Sequence, residues 1–480
     1  MGQIRMRKQL KAEQNIAEGV KVLLFAALIA CMWDVGFSLL VHKHSPVMAS
    51  LGLPQNQIRP SLVLVTPSQQ DSTVTEPAPE EVPAPTTVEL IHPLQRFFAS
   101  LIKLQQGDGT VRIGYFGDSM IEGDLVTQSL RNSLQQKLGG QGVGFVPIKS
   151  QTYGFRRSIW HRFSGDWEDF NLLMPKAGPQ DYGISGEYFL TRRATSSGQT
   201  WVRYKGADIY EGTKQFDQVR LFYGRRKNRP GDTDHQYVIS RTDQGEDTLY
   251  LNQRELVNEV LVSNQSTEEV KLNFRIPKDL PIYGLSFESS NGLFIDNFAS
   301  RGNSGMNLIQ IPGPTLAQFH EHLDYDLIVL QFGLNVISTR RKDFSHYERG
   351  MERVIRHFQE HAPDADILLI GVSDKSTQFN GQLQTDPSVP LILETQRRVA
   401  ERTGVAFLDL YDAMGGHNSM IQWVKNDLAR SDYTHPNRQG AERVGEIVEE
   451  YIWRELDHYQ HGDSHDPGSY ALLHSFHMEP

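Results

Sequence analysis

The spacing of hydrophobic positions predicts regular structure on either side of residue 120. Apolar and polar positions alternate in residues 111–116, which indicates a short strand. From residue 126 to residue 138 apolar side chains recur every four positions, which predicts a helix that ends at Gly139. A further helical pattern at 90–104 precedes the strand. This part of the chain is therefore predicted to form a helix, a strand and a second helix.

Between residues 155 and 292 the pattern changes to short β-type runs that are separated by turn residues. Few windows in this interval have helical periodicity. Many short strands without helices predict a β-sandwich or jelly roll, here inserted into the first domain. The clearest runs are 218–223, 236–239, 248–251, 257–262, 270–276 and 282–287.

After residue 292 predicted strands and helices alternate again. Five strands that alternate with helices, the strand at 111–116 included, indicate an α/β domain whose parallel sheet is covered on both faces. The predicted strands are 293–298, 327–332, 367–372 and 405–410, and the predicted helices are 314–323, 347–361, 390–403 and 439–456.

The N-terminal segment has the composition of a membrane anchor. Basic residues precede a largely apolar run at 22–41, whose length suits one bilayer span and whose basic flank is expected in the cytoplasm. Residues 28–31 also fit a lipoprotein signal that is acylated at Cys31. Asp34 is a costly residue within a bilayer. With either type of anchor, the bulk of the protein is expected outside the cytoplasm.

These patterns divide the chain into six segments. The Pro-rich segment is expected to form an extended spacer, and the C-terminal tail is expected to be poorly ordered. The segments are the basic stretch and membrane anchor (1–44), the linker (45–89), the first part of the α/β domain (90–154), the inserted β-module (155–292), the second part of the α/β domain (293–459) and the tail (460–480).

Composition argues against several classes of function. A net charge of −10 and the lack of a basic stretch with interleaved aromatic residues argue against a nucleic-acid partner. The only cysteine, Cys31, excludes an intramolecular disulfide and a cysteine-based metal finger. The 17 histidines form no cluster with ligand spacing on a helix face, so no metal site is expected.

The tripeptide Gly117-Asp118-Ser119 lies between the first strand and the helix that follows it. A hydroxyl at this place lies at the carboxyl edge of a parallel sheet and near the positive end of a helix. The same tripeptide recurs at 462–464, after the last helical pattern and without a preceding strand. Ser119 is therefore the candidate nucleophile, and Asp118 is expected to support the turn.

A nucleophilic serine needs a base and a group that orients the base. Asp432 and His435 lie three residues apart on a predicted tight loop after the last strand, at the same sheet edge as Ser119. The same Asp-x-x-His spacing occurs at 232–235, in a predicted turn of the insertion, and at 343–346, where a helix-capping role is expected. Position in the fold therefore selects Asp432 and His435.

Two further groups at this edge are suited to stabilise an oxyanion. Gly302 follows the strand at 293–298 and offers a backbone N–H, and Asn335 follows the strand at 327–332 and offers a side-chain amide. Together with the N–H of Ser119, they would supply three donors to one oxygen.

In this order, Ser119, Gly302, Asn335 and the Asp432/His435 pair resemble the four sequence blocks of the SGNH (GDSL-like) hydrolases. The resemblance covers roughly 96–150 and 293–457. It implies a flavodoxin-like three-layer domain in which serine is the nucleophile, histidine the base and aspartate its orienting group. It further implies an oxyanion hole made by the three donors named above, and no cofactor. In one departure, Val336 stands where many members of the family carry an acidic residue.

Shorter stretches at 117–146 and 423–435 are similar to the peptidoglycan O-acetylesterases, which carry a carbohydrate-binding-like β-module between the first two blocks. The long interval between Ser119 and Gly302 leaves room for such a module. This similarity implies an esterase that removes O-acetyl groups from a cell-wall glycan through an acetyl-serine. Together with the predicted anchor at 22–41, it leads us to expect a bacterial inner-membrane protein with one span and a periplasmic catalytic domain. The expected partners are the O-acetylated glycan and the membrane.

Two other functions fit the same residues. An acetyl-serine can pass its acetyl group to a glycan hydroxyl instead of water, which would make the protein an O-acetyltransferase; the outcome depends on water exclusion at the site. A non-catalytic glycan-binding envelope protein is the other alternative, although the intact serine, histidine and aspartate argue against it. In the insertion, Trp160, Trp167 and Trp201 have two possible roles, either stacking on sugars or packing in a core.

Overall fold

The fold is described from a computed structural model that covers residues 92–175, 181–192, 200–226 and 236–462. The expected membrane anchor and linker, the tail and the Asp-x-x-His pattern at 232–235 lie outside these residues, as does the second Gly-Asp-Ser except for Gly462. Among the described residues, no helix has both the length and the hydropathy that a membrane span requires.

A parallel sheet of five strands forms the centre of the α/β part. All of its strand pairs are parallel, as the alternation of strands and helices predicts. In spatial order the strands are β13 (Gly292–Ala299), β1 (Thr110–Gly117), β14 (Leu327–Gln331), β15 (Asp366–Ile370) and β18 (Ala406–Leu408).

Eight α-helices accompany the strands within the described ranges. In one group α8 contacts both α1 and α2, and in another α4 contacts both α3 and α5. Every residue of β14 and β15 is buried, which requires cover on both faces of the sheet. The helices are α1 (Gln95–Gln105), α2 (Leu125–Leu138), α3 (Gly313–Leu323), α4 (Ser345–His361), α5 (Val389–Thr403), α6 (Leu410–Ala413), α7 (Ser419–Lys425) and α8 (Arg438–His461).

Between β1 and β13 the chain forms two antiparallel sheets. Their inward side chains share one apolar cluster, which includes Trp167, Val202, Leu221, Phe274 and Leu285. The first sheet has the order β10-β7-β12-β5-β4, with β2 also paired to β12, and the second has the order β3-β6-β11-β8-β9. The strands are β2 (Gly144–Pro147), β3 (Ile159–Phe163), β4 (Trp167–Asn171), β5 (Glu187–Thr191), β6 (Trp201–Gly206), β7 (Gln218–Tyr223), β8 (Tyr237–Thr242), β9 (Gly245–Tyr250), β10 (Asn258–Ser263), β11 (Glu269–Arg275) and β12 (Ile282–Glu288).

The six β-type runs of the sequence correspond to β7–β12, whereas β2–β6 do not stand out in the pattern. Polar residues at inward positions hide the alternation in β3, where His161 is buried. The imidazole of His161 lies 3.0 Å from the carbonyl oxygen of Ile148, and burial lowers the pKa of His161 to about 3. A small antiparallel hairpin, β16 (Ser376–Phe379) and β17 (Gln382–Thr385), is also absent from the sequence prediction.

The strand β2 joins the parallel sheet to the antiparallel sheets. Phe145 packs in the core of the α/β part, whereas Val146 packs in the apolar cluster of the antiparallel sheets. The backbone N–H of Phe145 donates to the Asp296 carboxylate of β13 at 2.8 Å. Glycine is required at position 144, where φ is +69° and a Cβ would lie 2.2 Å from Oδ1 of Asp296.

A buried ionic cluster lies at the same junction. The guanidinium of Arg112, on β1, is 3.0 Å from Asp296 and 2.6 Å from Glu288 of β12. Glu288 also accepts from Arg220 of β7, and Asp296 accepts from the hydroxyl of Tyr325. Because each buried charge has several partners, the cluster fixes the position of β12 relative to β1 and β13.

Candidate active site

The turn that carries Ser119 begins where β1 ends. Gly117 has no space for a side chain, because a Cβ would lie 2.9 Å from Ile121 and 3.1 Å from the backbone oxygen of Gln331. The carboxylate of Asp118 accepts a hydrogen bond from the N–H of Met120 at 2.9 Å, which caps the following 3₁₀ turn Ser119–Asp124. The turn leads into α2 and leaves Ser119 at the carboxyl edge of the parallel sheet.

A chain of two hydrogen bonds connects Ser119, His435 and Asp432. Oγ of Ser119 lies 2.9 Å from Nε2 of His435, and Nδ1 of the same ring lies 2.9 Å from Oδ2 of Asp432. The side chains of His435 and Asp432 are 31% and 46% exposed, so the chain of hydrogen bonds is open to substrate from one side. The structure thus brings together the three residues for which the sequence predicts these roles.

The loop before α8 holds Asp432 in place through its own backbone. Oδ1 of Asp432 accepts from the N–H groups of Thr434 and His435, both at 3.0 Å. Partial burial alone would raise the pKa of Asp432, but these bonds and the one to the imidazole outweigh it, so that the pKa lies below its ordinary value. The carboxylate therefore stays ionised at neutral pH and can orient the ring of His435.

Asn335 lies at the expected sheet edge, but both hydrogens of its amide are engaged. Nδ2 donates to Oδ2 of Asp118 at 2.8 Å and to the backbone oxygen of Asn303 at 2.9 Å. An oxyanion would have to displace or share one of these bonds. The partner Asn303 is not identified by the sequence analysis, because it contributes only a backbone oxygen.

Asp118 is buried beneath the nucleophile and is 1% exposed. Its burial raises the pKa of the carboxyl to about 6, and hydrogen bonds from Met120 and Asn335 together with the nearby His435 limit the increase. The expected supporting role thus has a physical basis, since the carboxylate holds both the serine turn and the Asn335 amide.

Gly302 lies in the loop after β13, with a φ of +82°. Two backbone hydrogen bonds fix this loop, from Ser300 to the oxygen of Gly117 at 2.8 Å and from Asn303 to the oxygen of Ser300 at 3.0 Å. The loop is thereby tied to the end of β1, directly before Asp118 and Ser119. Gly302 is thus positioned at the same edge of the sheet, although no hydrogen bond joins it to the other candidate residues.

A cavity of about 230 Å³ opens beside Ser119. Its wall includes Phe155, from the segment between β2 and β3, whose ring is 60% exposed and whose Cβ packs close to Gly123. Arg301 forms a two-pronged ion pair with Glu122 at the rim, and these two residues also line a neighbouring cavity of about 260 Å³. The sequence analysis does not identify Phe155, Arg301 or Glu122, since each lies far in sequence from the residues it meets here.

Other candidate features have different roles in the structure. Asp343 accepts a hydrogen bond from the N–H of Ser345 at 2.8 Å, at the start of α4, as expected for a capping residue. Trp167 is 1% exposed and packs in the apolar cluster of the antiparallel sheets, whereas Trp160 is 61% exposed. Across the described part of the chain, no group of three metal-ligating side chains is placed to hold a metal ion.

Comparison with known protein families confirms the resemblance to the GDSL-like hydrolases. Residues 284–443 match the sequence model of the GDSL-like lipase/acylhydrolase family. This range contains Gly302, Asn335, Asp432 and His435, whereas Ser119 lies before it, on the other side of the antiparallel sheets. Among curated proteins, no sequence matches this chain.

Solved structures with a similar fold include a peptidoglycan O-acetylesterase. It is 20% identical in sequence, with a TM-score of 0.61, over 75% of this chain and 96% of that chain. A family two carbohydrate esterase from Cellvibrio japonicus is 9% identical over 65% of this chain and 98% of that chain, with a TM-score of 0.27. At these identities the first likeness concerns the fold, and the second score is too low to support an argument.

Proposed function

We propose that this chain is a serine esterase that removes O-acetyl groups from a cell-wall glycan, peptidoglycan in particular. The observation that carries the proposal is the unbroken hydrogen-bonded chain from Ser119 through His435 to Asp432 at the carboxyl edge of the parallel sheet. A hydroxyl, a base and an orienting carboxylate in this geometry are the elements of nucleophilic acyl transfer.

Acylation starts when Nε2 of His435 accepts the hydroxyl proton of Ser119 as Oγ attacks the acetyl carbonyl. The resulting oxyanion accepts hydrogen bonds from the N–H groups of Ser119 and Gly302 and from the amide of Asn335. Collapse of the tetrahedral intermediate breaks the bond to the sugar oxygen. That oxygen takes the proton from His435 and leaves as a hydroxyl, and the acetyl group remains on Ser119.

Deacylation repeats these steps with water. His435 removes a proton from the attacking water, and the second tetrahedral intermediate releases acetate and restores the Ser119 hydroxyl. Asp432 holds the imidazole with Nε2 toward Ser119 and stabilises the imidazolium that forms in both halves of the reaction. For Asn335 to donate, its amide turns one N–H from the Asn303 oxygen toward the oxyanion, while the Asp118 carboxylate retains the other N–H.

The glycan as substrate is supported by the surroundings of Ser119 and by the sequence similarity. The cavity beside Ser119 is lined by the exposed ring of Phe155 and by the Arg301–Glu122 ion pair, and these two charged residues also line a second cavity. An aromatic wall combined with charged hydrogen-bonding groups suits a sugar, whose ring has apolar C–H faces and a polar edge. We assign the antiparallel sheets to a module that binds the glycan.

We further propose that residues 22–41 anchor the chain in the bacterial inner membrane and that the catalytic part faces the periplasm. Support comes from the apolar run and its basic flank in the sequence. Fractionation of cells that express the full-length chain should place it with the membranes until detergent is added. A Cys31→Ser variant that loses membrane association would indicate lipid attachment at Cys31 instead of a span.

Acetate release from O-acetylated peptidoglycan tests the proposed activity. The full-length chain should release acetate, and Ser119→Ala should release none above background. Ser464→Ala, in the second Gly-Asp-Ser, is the matched control and should behave as the native chain. If only small aryl acetates are hydrolysed, the glycan is the wrong substrate. If an added glycan acceptor gains more acetyl groups than appear as free acetate, the chain is a transferase.

A further inference from the structure

The outward side of the second antiparallel sheet, β3-β6-β11-β8-β9, carries an unusual set of charges. Every second side chain of its strands points into the shared apolar cluster, as Val202 and Leu272 do, and the others point outward. We call this outward side the outer sheet face. Its cations are Arg162, Arg203, Lys205, Arg241, Lys271 and Arg275.

The charge of this face is opposite to that of the whole chain, whose net charge is −10. Two of the cations are neutralised, because Arg203 pairs with Glu269 and Arg241 with Glu246. The other four make no ion pair with any residue that the structure describes. The sequence contains no basic stretch with interleaved aromatic residues that would indicate this face. The cations occupy alternate positions of separate strands, so no stretch of sequence reveals them.

Aromatic rings lie among these cations. Trp160 is 61% exposed on the edge strand β3, and Tyr250 is 70% exposed on the opposite edge strand β9. Nζ of Lys271 lies 5.4 Å from the ring centre of Trp201, and Trp160 lies directly opposite Lys205 in the strand register. Exposed rings beside cations are groups that can stack on the apolar faces of a sugar while the cations meet its acidic groups.

One contact at the edge strand β3 links the outer sheet face to the cavities near Ser119. The guanidinium of Arg162 lies 5.3 Å from the ring centre of Tyr153, and the same tyrosine contacts Phe163 of β3. Tyr153 lines the 260 Å³ cavity that shares Glu122 and Arg301 with the Ser119 cavity. A long polymer bound at Ser119 can therefore continue past Tyr153 onto Arg162 and Trp160.

We propose that the outer sheet face binds a glycan strand that carries carboxylates, the same polymer whose ester reaches Ser119 if the proposed function holds. The aromatic rings fit the apolar faces of sugars, and the four unpaired cations fit acidic groups that occur at intervals along a strand. A duplex nucleic acid has one phosphate per ~1.7 Å of its axis, a density that four cations between aromatic rings do not match. The face thereby retains the polymer while successive esters reach the site.

Binding of a carboxylated glycan by the full-length chain tests this surface. In a Ser119→Ala background, which prevents turnover, we measure the affinity for polygalacturonate and for neutral dextran of the same length. Lys205→Gln combined with Lys271→Gln removes two unpaired cations, and Lys103→Gln combined with Lys278→Gln removes the same charge from exposed positions elsewhere. Trp160→Ser tests the aromatic contribution at the sheet edge.

We expect the native face to prefer polygalacturonate to dextran. At low salt, the Lys205/Lys271 variant should bind polygalacturonate about three- to tenfold more weakly, and this loss should largely disappear at ~0.5 M salt, where charges are screened. Trp160→Ser should weaken binding about two- to tenfold at both salt concentrations. The Lys103/Lys278 control should bind as the native chain.

Three outcomes would contradict glycan binding by the outer sheet face. The first is an equal loss of affinity in both lysine variants, and the second is no preference for polygalacturonate over dextran. The third is an affinity for duplex DNA or anionic phospholipid vesicles that exceeds the affinity for the glycan and that the variants change. The result is separable from the esterase proposal. If the chain releases acetate but these variants do not change glycan binding, only the proposed binding surface is wrong. If the variants weaken glycan binding but the chain releases no acetate from peptidoglycan, only the proposed esterase activity is wrong.

Discussion

Two polar clusters flank the turn that carries Ser119, and they differ in how completely their charges are satisfied. On one side, Ser119, His435 and Asp432 are linked by one hydrogen bond at each step, and the carboxylate is 46% exposed. On the other side, at the end of the same turn, Asp124 is 1% exposed and has partners around both oxygens. The two aspartates are thus related in chemistry but differ in accessibility.

The buried cluster is closed to further reaction. Arg131 donates to both oxygens of Asp124 at 2.9 Å, Ser158 donates at 2.6 Å, and Thr127 donates as well. Burial alone would raise the pKa of Asp124, but Arg131 and Arg156 keep it well below its ordinary value. Ser158 and Arg156 belong to the segment that precedes β3, so this cluster also fastens the antiparallel sheets to the serine turn.

The comparison indicates a division of roles within a few residues of one turn. Exposed groups with few partners can exchange protons with a substrate, whereas buried groups with every partner in place fix the backbone that presents them. Substitutions in the first cluster should therefore change activity with little effect on stability. Substitutions in the second should change stability, with little effect on the activity of the molecules that remain folded.

Ser119→Ala should have the largest effect. Removal of the nucleophile is expected to lower kcat for acetate release from O-acetylated peptidoglycan by about 10⁴- to 10⁶-fold, a range typical of serine hydrolases. The free energy of unfolding, measured with urea, should change by less than ~1 kcal/mol, because the hydroxyl makes one hydrogen bond at a partly exposed site. An activity loss below tenfold would assign the nucleophile to another residue.

Asp432→Asn should come next. The amide keeps the size of the carboxylate but lacks the charge that stabilises the imidazolium of His435, and kcat should fall by about 10³- to 10⁴-fold at pH 7. KM should change much less, since Asp432 acts through His435. Asp343→Asn, in the other described Asp-x-x-His pattern, is the matched control. Equal effects of the two substitutions would remove Asp432 from the mechanism.

The same contrast explains how much of this site the sequence could predict. Ser119, Asp432 and His435 follow strands of one parallel sheet, whose carboxyl ends meet at one edge, so strand order and turn residues suffice to place them together. The bonds of Asn335 depend instead on a backbone oxygen, that of Asn303, and on the rotamer of Asp118. Neither leaves a periodic signal in the sequence.

The antiparallel sheets are harder to predict for a related reason. Their strands pair across long separations, and β2 falls within the segment that the sequence assigns to the α/β domain (90–154), although it pairs with β12. The outer sheet face illustrates the same limit, because its charged positions come together only through the register of five strands. Helix and strand patterns are local, whereas cross-strand neighbours are set by tertiary pairing.

Arg131→Met tests the buried cluster directly. Methionine fills a similar volume but leaves Asp124 without its two-pronged partner, so the free energy of unfolding should fall by about 3–5 kcal/mol at pH 7. The acetate-release activity of the folded fraction should stay within about threefold of the native value. Arg443→Met, in an exposed ion pair on α8, is the matched control and should cost less than ~1 kcal/mol. Equal costs would contradict the structural role of Asp124.

Asp118 shares a feature with each cluster, because it is buried like Asp124 and it supports the turn that carries Ser119. Of the four substitutions, its replacement should give the smallest effect. Its pKa, raised by burial to about 6, means that the folded state holds a proton that the unfolded state has already released between about pH 4 and pH 6. Stability contributed by this group is therefore present below about pH 4 and is lost as the pH rises through 6, by up to ~3 kcal/mol.

Asp118→Asn removes this titration while it keeps the shape of the side chain. At pH 4 the variant should be less stable than the native chain, because one end of its amide must face the N–H of Met120 or the amide of Asn335. Between pH 4 and pH 7.5 the difference in free energy of unfolding between the two chains should then shift by up to ~3 kcal/mol in favour of the variant. Urea unfolding of both chains at the two pH values measures the difference, in which the contributions of Asp124 and Asp432 cancel. If the difference in free energy of unfolding between the two chains stays constant from pH 4 to pH 7.5, Asp118 is ionised over that whole range. Groups other than its hydrogen bonds to Met120 and Asn335 would then have to compensate for its burial.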